Sequence, residues 1–206
     1  MDNWDATQAG ASFLTDPRNA GELGPYWDWV FQRMSQDRTL LESFGTERED
    51  GKWIMDARAV DQYKRAVQRF LEPLCLPWHG GSGQQAQQIK FGGLRWRNTI
   101  LHTQDLFLHD GQVVYILSYY KSRNQTNASQ WPARFLLPKV GALVVRFLVV
   151  IQPFRQWLLQ EAAREHPRSV QEPQIGDYFW SRHGRPWTAD HLTDMIVAQG
   201  QQRLGK

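Results

Sequence analysis

Within residues 56–74, Val60, Tyr63, Val67, Phe70 and Leu74 recur at intervals of three and four, which on a helix makes one apolar face. No other stretch constrains the fold as tightly, because a helix with that face is stable only when packed against a core. Asp56 stands where an N-cap belongs, and Pro73 and Pro77 are expected to end the helix. Arg58, Gln62, Arg65 and Arg69 form a second stripe on the same helix. That basic stripe is either a solvated face or one laid along a phosphate backbone.

The material for a core is present. Hydrophobic residues are 41% of the 206, and ten of them are Trp. Pro138 is expected to open a second, buried helix carrying Val140, Leu143, Val144, Phe147, Leu148 and Ile151, with Pro153 interrupting it. A third helix is expected over residues 25–43, started by Pro25, and a last one from Thr188 to about Gln202. Residues 1–24, rich in Gly, Ala, Asp and Asn, read as a flexible arm. Residues 45–51 read as a polar loop, and residues 78–83 as a glycine-rich one. The latter lacks the Gly-Lys-Ser/Thr of a nucleotide-binding loop.

The β-region is brief. Leu106-Phe107-Leu108 precedes Asp110-Gly111, a dipeptide that favours the tight turn of a hairpin, and residues 112–120 are rich in Val, Tyr and Ile. A polar, basic loop with Lys121 and Arg123 follows, and Tyr178-Phe179-Trp180 reads as one further short strand. The expected fold class is therefore mainly α with a small antiparallel β-hairpin sheet.

Charge is distributed unevenly around a net value of +3. Residues 1–51 carry 4 Lys/Arg against 10 Asp/Glu, residues 52–160 carry 14 against 5, and residues 161–206 carry 6 of each. A basic middle suits a polyanionic partner, although a solvated basic surface has the same composition. Arg95 and Arg97 before the hairpin, Lys121 and Arg123 after it, and Arg134 further on are expected to share one end of the sheet. Arginine offers paired donors to phosphate and lysine a mobile point charge.

Other chemistries find little support. The six His form no HxxxH and no Cys/His pair at ligand spacing, so no metal or cofactor is expected. Met1-Asp2-Asn3-Trp4-Asp5 is acidic and lacks the apolar stretch of a secretion signal. The longest apolar run, residues 143–151, contains Arg146 and is short for a bilayer. A single Cys75 in an apolar setting fits a buried thiol and a reducing compartment. These features lead to an expected location in the nucleus or cytoplasm, without membrane association.

Several motifs occur in a telling order: Phe13-Leu14-Thr15-Asp16-Pro17-Arg18-Asn19, residues 63–74, Gly83-Gln84-Gln85-Ala86, Leu94-Arg95-Trp96-Arg97-Asn98-Thr99, the hairpin with Tyr119-Tyr120-Lys121, Arg134-Phe135-Leu136-Leu137-Pro138 and Gln152-Pro153-Phe154. In that order they resemble the tyrosine-recombinase-like region of fungal Crypton mobile elements and of fungal telomere-linked RecQ-type helicase proteins. The resemblance runs along nearly the whole chain. It implies a helical core-binding part over residues 25–78 and an incomplete catalytic part over residues 79–206. The family's reaction is DNA strand cleavage and rejoining through a phosphotyrosine, used in recombination and integration. Lys121 falls at the family's hairpin lysine, general acid to the leaving 5′-oxygen.

Two departures follow. Gln87 stands at the family's first catalytic Arg, and the His-x-x-Arg box with its tyrosine would fall beyond the helix after Trp187-Thr188. These residues imply a DNA-binding remnant with a degenerate active site, in which Lys121 is vestigial. The DNA-binding candidates are Arg58, Arg65, Arg69, Arg95, Arg97, Lys121, Arg123 and Arg134. Expected partners are double-stranded DNA, further copies of the chain on that DNA, and a linked helicase domain in longer relatives. Two alternatives stand beside this reading: a fragment of an active recombinase or recombinase–helicase fusion, and a non-DNA protein-interaction module built on the Trp-rich amino-terminal half.

Overall fold

The computed structural model describes residues 2–51, 53–82, 88–117, 132–165, 176–182 and 185–204. These residues are mainly helical, with small antiparallel sheets.

Helix α4, defined here as Ala57–Gly81, is the spine that the apolar stripe predicts. The Asp56 carboxylate accepts the Arg58 N–H at 2.8 Å, which caps it. The helix does not stop at Pro73 or Pro77; both lie inside it. An interior proline typically costs about 3 kcal/mol through a lost hydrogen bond and a steric clash. The two prolines, four residues apart, sit on the side away from Leu71, Cys75 and Trp78, which are fully buried. Burial of that opposite face offsets the cost, and the helix runs on to the glycines at 80 and 81.

The segment before α4 departs from its expected form. Pro17–Asn19 makes a 3-10 turn capped by Asp16, and α1 (Ala20–Trp27) contains Pro25 rather than starting at it. Helices α2 (Trp29–Gln36) and α3 (Arg38–Glu42) follow. Phe13, in the expected arm, is 1% exposed. Further back, the Asp2 carboxylate accepts from Gln104 Nε2 at 3.1 Å and from the Leu108 N–H at 3.3 Å, and Trp4 stacks on Phe107 at 4.5 Å. Residues 45–51, expected as a loop, supply β1 (Gly45–Glu47), which pairs with β2 (Trp53–Met55).

Helix α4 serves two cores. Its first half gives Val60 to a cluster with Met34, Met55, Phe154 and Leu158. Its second half gives Val67, Leu71, Leu74, Cys75 and Trp78 to a larger cluster with Phe13, Phe91, Tyr115, Phe179 and Trp180. Phe91 belongs to the short helix α5 (Gln88–Gly92). Burial pushes the Cys75 thiol up to about 12, which leaves it an inert core group at neutral pH.

The hairpin forms at the expected turn; of the second strand expected over residues 112–120, Gln112–Ile116 is strand and residues 118–120 lie outside the described residues. Strand β3 (Leu106–His109) pairs with β4 (Gln112–Ile116) in the register Leu106↔Tyr115 to His109↔Gln112. Asp110 and Gly111 both have positive φ, 47° and 75°, the signature of the tight turn that Asp-Gly favours. A third strand, β5 (Ala133–Phe135), joins the other side of β4 and sets Arg134 opposite Tyr115.

The second long helix runs from Pro138 to Glu165 without a break. It consists of α6 (Pro138–Arg146), a π turn (Phe147–Ile151) and α7 (Gln152–Glu165). Pro153 therefore does not interrupt it. The Gln152 N–H reaches back to the Phe147 carbonyl, and this wider turn accommodates a residue that lacks its own N–H. By length and composition this helix could cross a membrane, and 50% of its apolar window is buried inside the protein. Leu143 faces outward rather than into the core. Strands β6 (Ser181–Arg182) and β7 (Arg185–Pro186) precede α8 (Ala189–Leu204), whose start is capped by Thr188 accepting the His191 N–H at 3.2 Å.

Candidate nucleic-acid interface

Helix α4 presents its basic stripe as expected: Arg58, Arg65 and Arg69 are all exposed. Arg65 is ion-paired with Asp61 one turn earlier. The stripe does not stand alone. A groove of about 530 Å³ runs beside it, and its walls include Lys64, Arg65 and Arg69 from α4, Arg155 from α7 and Arg182 from β6. Asp61 and Glu72 are the acidic residues lining it, so cations outnumber anions by five to two. Arg155 is 4% exposed and reaches Gln152 Oε1 at 3.5 Å, a fixed charge at the back of the groove. Arg182 is brought there because Gln68 Nε2 donates to the Ser181 carbonyl at 2.8 Å, tying β6 to α4.

Lys64, Arg155 and Arg182 were not legible as site residues. Lys64 adjoins the stripe, and Arg155 stands among apolar and neutral residues in the first two turns of α7; both are weak signals. Arg182 lies over 100 residues from α4 and carries no local signal at all.

The remaining candidates are dispersed. Arg95 forms a β-bridge with Tyr178, and its guanidinium lies 5.0 Å from the centre of that ring. Arg97 Nε donates to Asp177 at 2.5 Å and its guanidinium lies over Trp96 at 4.7 Å. These two arginines therefore line a second trough, together with Asp177 and Tyr178. Arg134 does not join them. It is 9% exposed, with its guanidinium 5.8 Å from the Tyr115 ring, because the β4–β5 register turns it inward. The expected gathering of all these cations at one end of the sheet is thus not what the fold builds. Gln87, Lys121 and Arg123 lie outside the described residues.

Comparison of the chain with family models, curated proteins and solved structures returned no match. Among the described residues, no three His, Cys, Asp or Glu side chains come together as a metal would require. What the described residues offer instead is a cationic groove beside α4.

One carboxyl near the second trough has an unusual setting. Asp105 accepts the Arg95 N–H at 2.8 Å, but burial outweighs that bond and raises its pKa to about 6. The folded state therefore holds a proton that the unfolded chain, near 3.8, has already released. Stability should fall as pH rises from about 4 to about 6 and stay reduced above that. Asp2, also raised by burial, acts in the same direction. Asp16, lowered to about 2 by its bond to Arg18, acts below pH 4 with the opposite sign. Asp105→Asn keeps an acceptor for Arg95, and should raise stability at pH 7 by about 1–2 kcal/mol while flattening the profile between pH 4 and 6. Thermal unfolding across that range would show it; a variant with the parent's slope would refute the assignment.

Proposed function

We propose that this chain binds double-stranded DNA through the groove beside α4, as a degenerate tyrosine-recombinase-like domain that holds DNA without cutting it. The observation that carries the reading is the convergence of cations from three separate elements, α4, α7 and β6, on one groove. A helix with a solvated basic face has no need for a buried arginine behind it. Phosphate does make that demand, because several fixed donors can bind one strand together. The order of sequence motifs supports the same ligand. Gln87 at the family's Arg position supports loss of cleavage, since losing one charged donor at such a site costs roughly 10²–10³ in rate. Homo-oligomers on DNA and a linked helicase domain remain part of this proposal, as does a location in the nucleus or cytoplasm.

A salt titration of duplex binding tests it. Log affinity should fall steeply and linearly with log salt. Arg65→Ala with Arg69→Ala should lower that slope by about two and weaken binding about equally for unrelated sequences. Lys121→Ala with Arg123→Ala should do the same if the basic loop also lies on the backbone. Absence of binding at low salt would end the proposal.

A second reading has one observation in its favour. Tyr26 and Trp29, at the α1–α2 junction, are 55% and 54% exposed, whereas Trp78 is fully buried. Exposed aromatics suit a protein-docking surface. Under that reading, charge reversal in the α4 groove would leave partner binding intact.

A further inference from the structure

The most exposed large apolar side chains in the described residues are adjacent: Ile100 is 91% exposed and Leu101 84%. They sit at the tip of a turn that is closed, not slack. The Thr99 N–H donates to the His102 carbonyl at 2.7 Å, and the His102 N–H donates to Thr99 Oγ1 at 2.9 Å. The root of the turn is fastened through Asn98, which is 3% exposed. Its N–H donates to the Ala11 carbonyl at 2.9 Å, its Nδ2 donates to the Ala6 carbonyl at 2.7 Å, and its Oδ1 accepts the Gln104 N–H at 2.7 Å. The protein thus holds two branched aliphatic side chains out in water on a rigid support.

Beside the tip runs the second trough, about 670 Å³, with Arg95 and Arg97 in its wall. Both guanidiniums lie against aromatic rings, and Arg97 is also paired with Asp177 in the same wall, which holds both in place and leaves the trough one net positive charge. Two side chains alone supply far less than the roughly 800 Å² that each partner buries in a stable protein interface. An apolar tip flanked by held arginines complements a ligand with a stackable interior and an anionic edge. We infer that Ile100 and Leu101 form a wedge that enters a base step of duplex DNA, while Arg95 and Arg97 receive the adjacent phosphates. The inference rests on the DNA-binding reading and adds the mode of engagement: a kinked, partly unstacked duplex.

The experiment uses the full chain at low salt with duplexes carrying 2-aminopurine at successive steps. Wild type should brighten the probe severalfold at one or two adjacent steps. Ile100→Ser with Leu101→Ser should abolish the brightening and weaken binding about tenfold, with the salt slope unchanged. Both positions face solvent, so thermal unfolding should match wild type. DNA binding without brightening, or brightening that survives in the double variant, overturns the wedge and leaves the groove reading standing. No DNA binding at all overturns both. A parallel flotation assay with phosphatidylserine-containing vesicles covers the other apolar ligand. Vesicle binding that needs Ile100 and Leu101, with no brightening on DNA, overturns the wedge in favour of a lipid contact.

Discussion

Trp78→Ala is expected to remove about 3–5 kcal/mol of stability, measured by denaturant unfolding of the full chain. Trp78 is fully buried, and its ring meets four others: Phe179 at 4.9 Å, Trp180 at 5.0 Å, Tyr115 at 5.9 Å and Phe91 at 6.0 Å. Those four rings come from α5, β4 and the 178–180 segment. One truncation therefore loosens α4 from three parts of the chain at once. A typical domain has 5–15 kcal/mol to lose, so the variant should be largely unfolded at moderate denaturant. Trp78→Phe keeps an aromatic ring in place and should cost far less. Trp29→Ala, at a site 54% exposed, should fall within about 0.5 kcal/mol of wild type. If Trp78→Ala unfolded with the wild-type midpoint, the larger core would be wrongly placed.

That core explains why some of the fold was legible in the sequence. Val60, Val67 and Leu74 are buried because a period of 3.6 residues is a local property and α4 obeys it, whereas Phe70, on the same stripe, lies at its edge, 36% exposed and stacked on Phe147. The Asp110-Gly111 turn was legible for a similar reason: positive φ at two successive residues selects few dipeptides, and Asp-Gly is one. The prolines were misread because their cost is local while the compensation is not. Pro73 and Pro77 are tolerated by what lies across the helix from them, and Pro153 by a π turn built before it. Neither can be read within a window of a few residues. Strands β1 and β2 are three residues each, too short for alternation to register.

The site was less legible than the fold. Sequence proximity suggested that Arg95, Arg97, Lys121, Arg123 and Arg134 belong together. In space, Arg134 turns inward because β5 pairs with β4, and Arg97 is drawn aside by Asp177, 80 residues away. Conversely, Arg69 and Arg182 share a groove although more than 100 residues separate them. Cations near one another in sequence repel and gain nothing from meeting unless a ligand is present. What places them is the packing of the elements that carry them, such as the Gln68–Ser181 bond. A stripe on one helix survives that rearrangement because a single element carries all of it, which is why Arg65 and Arg69 were found and Arg182 was not.

The packing of α5 against α8 can be tested with three glycines that differ in what surrounds them. A Cβ added at Gly92 would stand 2.4 Å from the Trp187 carbonyl oxygen and 3.2 Å from Leu192 Cδ1. The first neighbour is backbone and cannot rotate away. Trp187 is itself 4% exposed, with its ring 5.1 Å from Trp180 and its N–H bonded to the Trp180 carbonyl at 2.9 Å. Relief therefore means moving α5 away from α8 or displacing a core tryptophan. Gly92→Ala should cost about 3 kcal/mol, at the upper end for overpacking by one methyl group. At Gly81 the added atom would meet Leu137 Cδ1 at 2.9 Å, the end of an exposed side chain that can swing clear, so the effect should be small. At Gly80, also in α4, nothing lies within 4 Å, and alanine's helix preference should stabilise the chain by up to about 1 kcal/mol. Thermal unfolding should thus rank the variants Gly80→Ala above wild type and Gly92→Ala well below it. An unchanged melting temperature for Gly92→Ala would mean that α5 does not lie against Trp187.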